Sequence, residues 1–297
     1  MRAAALLVLA VLLHGSGAAW AQPVPRPGAR PMRVMSLNLC TDQLVLALLP
    51  PARIVSVNER SRDPGGSLMA AAARGVAINH GLAEEVLRAQ PDLVIAGTYT
   101  TPATRALLKR LGWPMLEVGP ADTIAQIRAT TRQVAQAVGE VARAEQLLAR
   151  MDAQLAELAR HPGPPLRVAA WDGAGFTAGP GSLYDTVLRL AGVVNVAADP
   201  RLTKSGAPDT ELLLAAAPAL LMRGGPLGER GDDRNGLRAD IAGNPLVRRF
   251  WGKDRTVAID QAFYVCGTPF IADEALRLRA RLQAAAAAAR TPLPFAR

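Results

Sequence analysis

The stretch "EEVLRAQPDLVIAG", residues 84–97, decides the fold, because "TELLLAAAPALLMRG", residues 210–224, repeats its plan. Aligning Pro91 with Pro218 puts Glu84 on Glu211 and Gly97 on Gly224. Each copy reads as a helix with an early glutamate that stops at proline and runs into a short apolar strand ending in glycine. A proline disfavours helical backbone in the residue before it, so the stop has a steric cause. An acid in the first turn suits the positive end of the helix dipole, which gives both glutamates a local reason to be there. The same spacing in two places points to a duplicated α/β unit.

The rest of the chain extends that unit in both directions. Strand candidates at 33–38, 53–57, 92–96 and 115–118 alternate with helical stretches at 41–49, 66–73, 82–90 and 102–111, a pattern that predicts parallel βα units. The alternation resumes later, with strands at 167–171, 193–197, 219–223 and 256–260 and helices at 182–191, 209–217 and 272–289. Between them, Ile127, Val134, Val138, Val141, Leu148 and Met151 recur at helical spacing and predict one long linking helix over 123–160. Gly139 is placed to kink it, and "HPGPP" at 161–165 ends it. The expected fold is α/β: two Rossmann-like lobes, 33–122 and 161–297, joined by a single long helix, with a ligand cleft between them.

Residues 1–21 read as a secretory signal, with Arg2, an apolar centre and a small-residue cleavage site near Ala21. The apolar run is short for a membrane span, and no other segment is long and apolar enough. Residues 22–32 form a stiff, proline-rich lead-in. The expected mature protein is therefore exported and soluble. A formal charge of +9 invites a nucleic-acid reading. The arginines are interleaved with acids in helical stretches, however, and aromatics at 4% are too few for base stacking. No nucleic-acid partner is expected.

Enzyme signatures are absent: there is no nucleophile elbow, phosphate loop or HExxH. "DGAGFTAG" at 172–179 imitates a dinucleotide fingerprint, but "GPGS" interrupts it before a helix can start at Ser182. His80, in "INHG", could ligate a metal, yet one histidine and two distant cysteines make no closed zinc site. No metal site and no cofactor are expected. What remains is a set of polar and aromatic residues at strand ends: Asn38, Cys40, Arg60 and Tyr99 in the first lobe, and Trp171, Phe176, Arg223, Tyr264 and Cys266 in the second. Ligands of open parallel sheets bind outside the carboxyl ends of the strands, so these are the candidate ligand-binding residues. Trp171 and Tyr99 are expected to face the cleft from opposite lobes.

In order and spacing, "RVMSLNLCTDQL", "EEVLRAQPDLVIAG", the long helix, "FTAGPGSLYDTVLRLAGVVNVA" and "DTELLLAAAPALLM" resemble the long-helix periplasmic substrate-binding proteins of ABC importers for iron–siderophore, haem and vitamin B12. The resemblance implies one ligand between two lobes with little hinge motion. It also implies a monomer that docks on a permease dimer through one exposed glutamate per lobe, here Glu84 and Glu211. The implied ligand is a metal chelate that carries its own cobalt or iron. Arg60 and Arg223 favour an anionic ferric siderophore, whereas "FTAGPGSL" resembles the vitamin B12-binding members and favours a corrinoid. Two other classes stay open: a two-lobed metal-cluster or chelatase-like enzyme, and a secreted protein-binding scaffold.

Cys40 and Cys266 allow one intramolecular pairing. Three readings compete, in the order the sequence favours them: two separate thiols flanking the cleft, a bridge, and metal ligation. A bridge needs Cα atoms within about 7 Å, which loops facing each other across a ligand-sized gap would not be expected to reach.

Overall fold

The computed structural model of the chain describes residues 30–163, 165–170, 179–199, 210–224, 245–259 and 261–295. Strands Val34–Ser36 (β1), Ile54–Asn58 (β2), Ile78–Asn79 (β3), Leu93–Gly97 (β4) and Met115–Val118 (β5) form a parallel sheet ordered β3-β2-β1-β4-β5. Arg167–Ala170 (β6), Val194–Asn195 (β7), Leu220–Gly224 (β8) and Thr256–Ile259 (β9) form a second parallel sheet ordered β7-β6-β8-β9. The two sheets share a register. Val34 pairs with Leu93, two residues past Pro91, and Val168 pairs with Leu220, two residues past Pro218. On the far side of the same strands, Val94 faces Met115 and Leu221 faces Thr256.

The helices, in chain order, are Leu39–Leu48 (α1), Ala70–Ala73 (α2), Ala83–Ala89 (α3), Pro102–Arg110 (α4), Ile124–Val138 (α5), Val141–Arg160 (α6), Leu183–Ala191 (α7), Thr210–Ala216 (α8), Pro245–Phe250 (α9) and Ile271–Ala289 (α10). The repeated proline junction is built alike in both lobes. α3 ends at Gln90 with φ 47° and α8 at Ala217 with φ 43°, the only positive-φ residues other than glycine among those described. Orphan carbonyls at each helix end are met by an arginine that opens the central strand. Arg33 Nη2 donates to Ala89 O at 2.7 Å, and Arg167 Nη2 donates to Ala216 O at 3.1 Å. The proline carbonyls are met by buried indoles: Trp113 Nε1 reaches Pro91 O at 3.3 Å and Trp251 Nε1 reaches Pro218 O at 2.7 Å.

The expected single linking helix is divided. Gly139 adopts φ 72°, which terminates α5 and lets the chain reverse into the 20-residue α6. The two helices run antiparallel, as the pairs Arg132–Glu145 and Arg128–Asp152 record. Near the turn, Val134, Ala135, Val138 and Ala144 join the core of the first lobe. At the open end, Ile127, Leu148 and Met151 join the core of the second. The linker is thus a hairpin that packs on both lobes, with α6 as its long member.

A buried arginine clasps each end of this hairpin. Arg53 donates to Val138 O at 2.6 Å and to Glu140 at 2.6 Å, fixing the turn to the first lobe. Arg279 donates to Leu158 O at 2.9 Å, Leu190 O at 2.7 Å and Ala191 O at 3.1 Å, and also to His161 O. It thereby gathers the ends of α6 and α7 in the second lobe. Two expected elements are shorter: the strand over 193–197 is two residues followed by a 3-10 turn, and the helix over 66–73 is only α2. β3 and α9 were not expected; a two-residue strand is too short to show any hydrophobic period.

Candidate functional site

Parallel strands deliver their carboxyl ends to one edge of each sheet, and the first lobe places four loops there. Asn38 ends the loop after β1 and caps α1, its side chain accepting from Cys40 N at 3.0 Å. Asn58, at the end of β2, accepts from Arg60 N at 3.2 Å and turns the chain so that Arg60 reaches the rim. β3 ends at Asn79, whose buried side chain donates to Ser36 O at 2.8 Å and holds the following His80 beside the other loops. β4 is followed by Tyr99, which is 81% exposed. Asn38, Cys40, Arg60, His80, Tyr99 and Val265 line a cavity of about 350 Å³.

Val265 belongs to the other lobe, and it arrives on a strap. Residues 261–267, which follow β9, cross to the first lobe. There Ala262 N donates to Gly65 O at 2.9 Å, and Cys266 forms a disulfide with Cys40, the Cα atoms 5.0 Å apart across 226 residues of sequence. This corrects the expectation of two separate thiols. At the bridge the lobes approach more closely than a ligand-wide gap would suggest, and neither cysteine is free to ligate a metal. Gly267 makes the approach possible, since a Cβ there would lie 1.8 Å from Ala121 O. Where strap and sheet meet, a second cavity of about 70 Å³ is lined by Asn38, Cys40, Tyr99, Asp122, Val265 and Gly267.

The structure therefore brings together Asn38, Cys40, Arg60 and Tyr99 from the first lobe. Tyr264 stacks on Tyr184 within its own lobe, the rings 4.3 Å apart at 14°, and borders neither cavity. Cys266 is buried in the bridge. Trp171 and Phe176 lie outside the described residues, and Arg223 enters only as a backbone position in β8, paired with Ala258. Glu84 and Glu211 are both exposed, each in the first turn of its helix. His80 and Val265 are lining residues that sequence reasoning did not select. A signal for His80 existed in Glu85, five residues on, but not in the two-residue strand that positions it.

The electrostatics of the first lobe centre on two acids. Asp42 is fully buried in α1, and burial pushes its carboxyl up to about 8. The Ser36 side chain, the Ser61 hydroxyl at 2.6 Å and Asn58 N at 2.8 Å, the last two donating to Oδ2, offset this only in part. Glu85 is pushed up by burial, but the His80 ring, His80 N and Leu82 N all donate to it and hold it below the usual carboxylate range. The hydrogen bond to Glu85 raises His80 in turn, with the charges of Glu59 and Glu85 adding to it against desolvation. Among the described residues no group of three or more His, Cys, Asp or Glu could hold a bare metal ion, and no helix is long and apolar enough to cross a membrane.

Comparison with solved structures returns the same two-lobed architecture. The periplasmic heme-binding protein RhuT from Roseiflexus sp. RS-1 is similar at 23% identity and TM-score 0.68, covering 89% of this chain and 100% of that one. The periplasmic heme-binding protein HutB of Vibrio cholerae matches at 23% identity and TM-score 0.68, covering 84% and 98%. The periplasmic vitamin B12 binding protein BtuF of Vibrio cholerae matches at 20% identity and TM-score 0.59, covering 86% and 98%. At these identities the likeness speaks for the fold. No curated protein sequence matches the chain. The periplasmic binding protein family matches over residues 34–250. With most of its length inside that match, the chain belongs to the periplasmic binding protein family.

Proposed function

We propose that the protein captures a metal chelate, a corrinoid or other tetrapyrrole or a ferric siderophore, in the cleft between its lobes and delivers it to an ABC importer. One observation carries this reading: an aromatic residue left 81% exposed, Tyr99, borders a strand-end cavity of about 350 Å³ beside Arg60. An exposed ring at that edge has no packing role in its own lobe and offers a flat apolar face to a ligand. Arg60 adds a permanent cation suited to carboxylate or other anionic groups of a chelate. The heme- and vitamin B12-binding structures of the same fold support the ligand class.

On this reading the protein is an exported, monomeric carrier and not an enzyme. Glu84 and Glu211, exposed at equivalent places of the repeat, dock the two lobes on the permease dimer. Intrinsic fluorescence titration with cobalamin, ferric protoporphyrin and a ferric siderophore tests it. Saturable binding of at least one chelate, recovered chemically unchanged, is expected. No saturable signal with any of them would leave the scaffold reading standing, and a converted chelate would favour an enzyme. Charge reversal at Glu84 and Glu211 together is expected to abolish permease-dependent uptake and leave affinity intact.

A further inference from the structure

The lobes are joined at two separate places. One is the α5–α6 hairpin, whose turn packs in the first core and whose open end packs in the second. The other is the strap. Its root is fixed in the second lobe, where Phe263 belongs to the core and Tyr264 stacks on Tyr184. Across the gap it meets the first lobe through Ala262 N on Gly65 O at 2.9 Å and through Cys266 on Cys40. Gly267 abuts Ala121, which leads into the hairpin. Cys40 is half-buried and borders both the 350 Å³ and the 70 Å³ cavity, so the bridge stands at the cleft. Two bodies joined at one place keep a hinge rotation, and a second, covalent join removes it. Without the sulfur–sulfur bond, the strap keeps one backbone hydrogen bond to the first lobe among the described residues, a small net gain.

We propose that the Cys40–Cys266 bridge is a redox clasp: oxidation fixes the angle between the lobes and makes the cleft competent, whereas the dithiol chain captures the chelate poorly. This rests on the reading of the cleft as a chelate seat and adds a redox condition to it. The oxidant is a disulfide, RSSR, of a small thiol or of an oxidoreductase. Cys40 is placed for the first attack, half-buried in the first turn of α1, where the helix dipole favours an anion. Its thiolate attacks one sulfur of RSSR and expels RS⁻, leaving a mixed disulfide. Cys266, only 4% exposed, then attacks Cys40 Sγ as a thiolate and expels the second RS⁻. The two cysteines are oxidised to one cystine, RSSR is reduced, and the two thiol protons end on two RSH. Such oxidants belong to extracytoplasmic compartments, so competence is gained on export.

A Cys40→Ser, Cys266→Ser double variant of the full chain stands in for the dithiol state without a thiol that could itself ligate a metal. Cyanocobalamin and ferric protoporphyrin are titrated against it and against the oxidised chain. Without chelate, the variant is expected to keep its circular dichroism while the Ala262 amide exchanges faster than in the oxidised chain. Whichever chelate binds the oxidised chain is expected to bind the variant about 10-fold more weakly, the loss when about one molecule in ten holds the competent angle. Reduced chain re-bridged with diiodomethane, each thiolate displacing one iodide to give S–CH2–S, is expected to regain both properties. Unaltered exchange at Ala262, or unaltered affinity, overturns the proposal and leaves the carrier reading intact. Loss of circular dichroism overturns it as well, since the bridge would then hold the fold and not the angle. If the oxidised chain binds neither chelate nor a ferric siderophore, the carrier reading fails, and exchange at Ala262 alone decides whether the bridge fixes the lobes.

Discussion

The two lobes are alike where strands and helices join and unlike where the strands end. Both have an arginine opening the central strand, a left-handed residue before the proline, and a buried indole on the proline carbonyl. Asn58 and Asn195 cap the turns after β2 and β7 in the same way. The acids that support those asparagines differ. Asp185 accepts from Asn195 Nδ2 at 2.9 Å and pairs with Arg189 at 3.1 Å. Its counterpart Asp42 has no cationic partner among the described residues and is met by neutral donors, the Ser61 hydroxyl and Asn58 N. The first lobe also has β3, which delivers His80, while the second sends the strap with Cys266 across to its partner. The two lobes share what holds each sheet to its helices and differ at the strand-end edge, where the proposed ligand would sit.

The largest test of this comparison removes the strap's anchor. A Cys40→Ser, Cys266→Ser double variant releases a loop of 226 residues, and the chain-entropy account puts the loss near 5 kcal/mol. Urea unfolding followed by fluorescence is expected to show a lower midpoint, and an unchanged midpoint would mean that the hairpin alone joins the lobes. Next in size is Arg279→Ala, expected to cost about 3 kcal/mol because buried carbonyls at the ends of two helices lose a charged donor. Arg279→Lys is not expected to restore it, since an ammonium cannot span them.

Asp42 separates the lobes by pH. Its folded value of about 8 exceeds that of an unfolded aspartate, so the folded state keeps a proton that the unfolded chain gives up. That contribution is whole below about pH 4 and is lost as pH rises towards 8, at about 1.4 kcal/mol per pH unit. Asp42→Asn is expected to flatten this part of the stability profile; an unaltered slope would show that Asp42 is charged in the fold. The smallest effect sharpens the repeat itself. Trp113→Phe and Trp251→Phe each leave one proline carbonyl without its donor and are expected to cost about 1 kcal/mol in the same denaturation assay. A cost in one lobe only would break the equivalence.

Sequence made the repeat legible because helix, proline and strand each leave a local mark, and Glu84 and Glu211 followed from it. The strand-end rule reached Asn38, Arg60 and Tyr99 for the same reason. Gly139 was visible as a perturbation of the linker, but whether glycine bends a helix or reverses it depends on what the following apolar face packs against, here both lobe cores. The disulfide was not legible because its geometry depends on a strap whose course is set by contacts far apart in sequence, Ala262 to Gly65 and Cys266 to Cys40. Tyr264 looked like a ligand contact because an aromatic after a strand reads alike whether it faces a cleft or stacks on Tyr184.

Hydrogen exchange on the oxidised protein, with and without a saturating chelate, tests most directly the claim that one ligand is held between two unlike strand-end surfaces. Loading is expected to protect the loops at 58–60, 79–81 and 98–101 of the first lobe and the strap at 261–267 of the second, with the α5–α6 hairpin unchanged. Saturable binding with protection confined to one lobe, or with protection of the hairpin in place of these loops, would contradict the account.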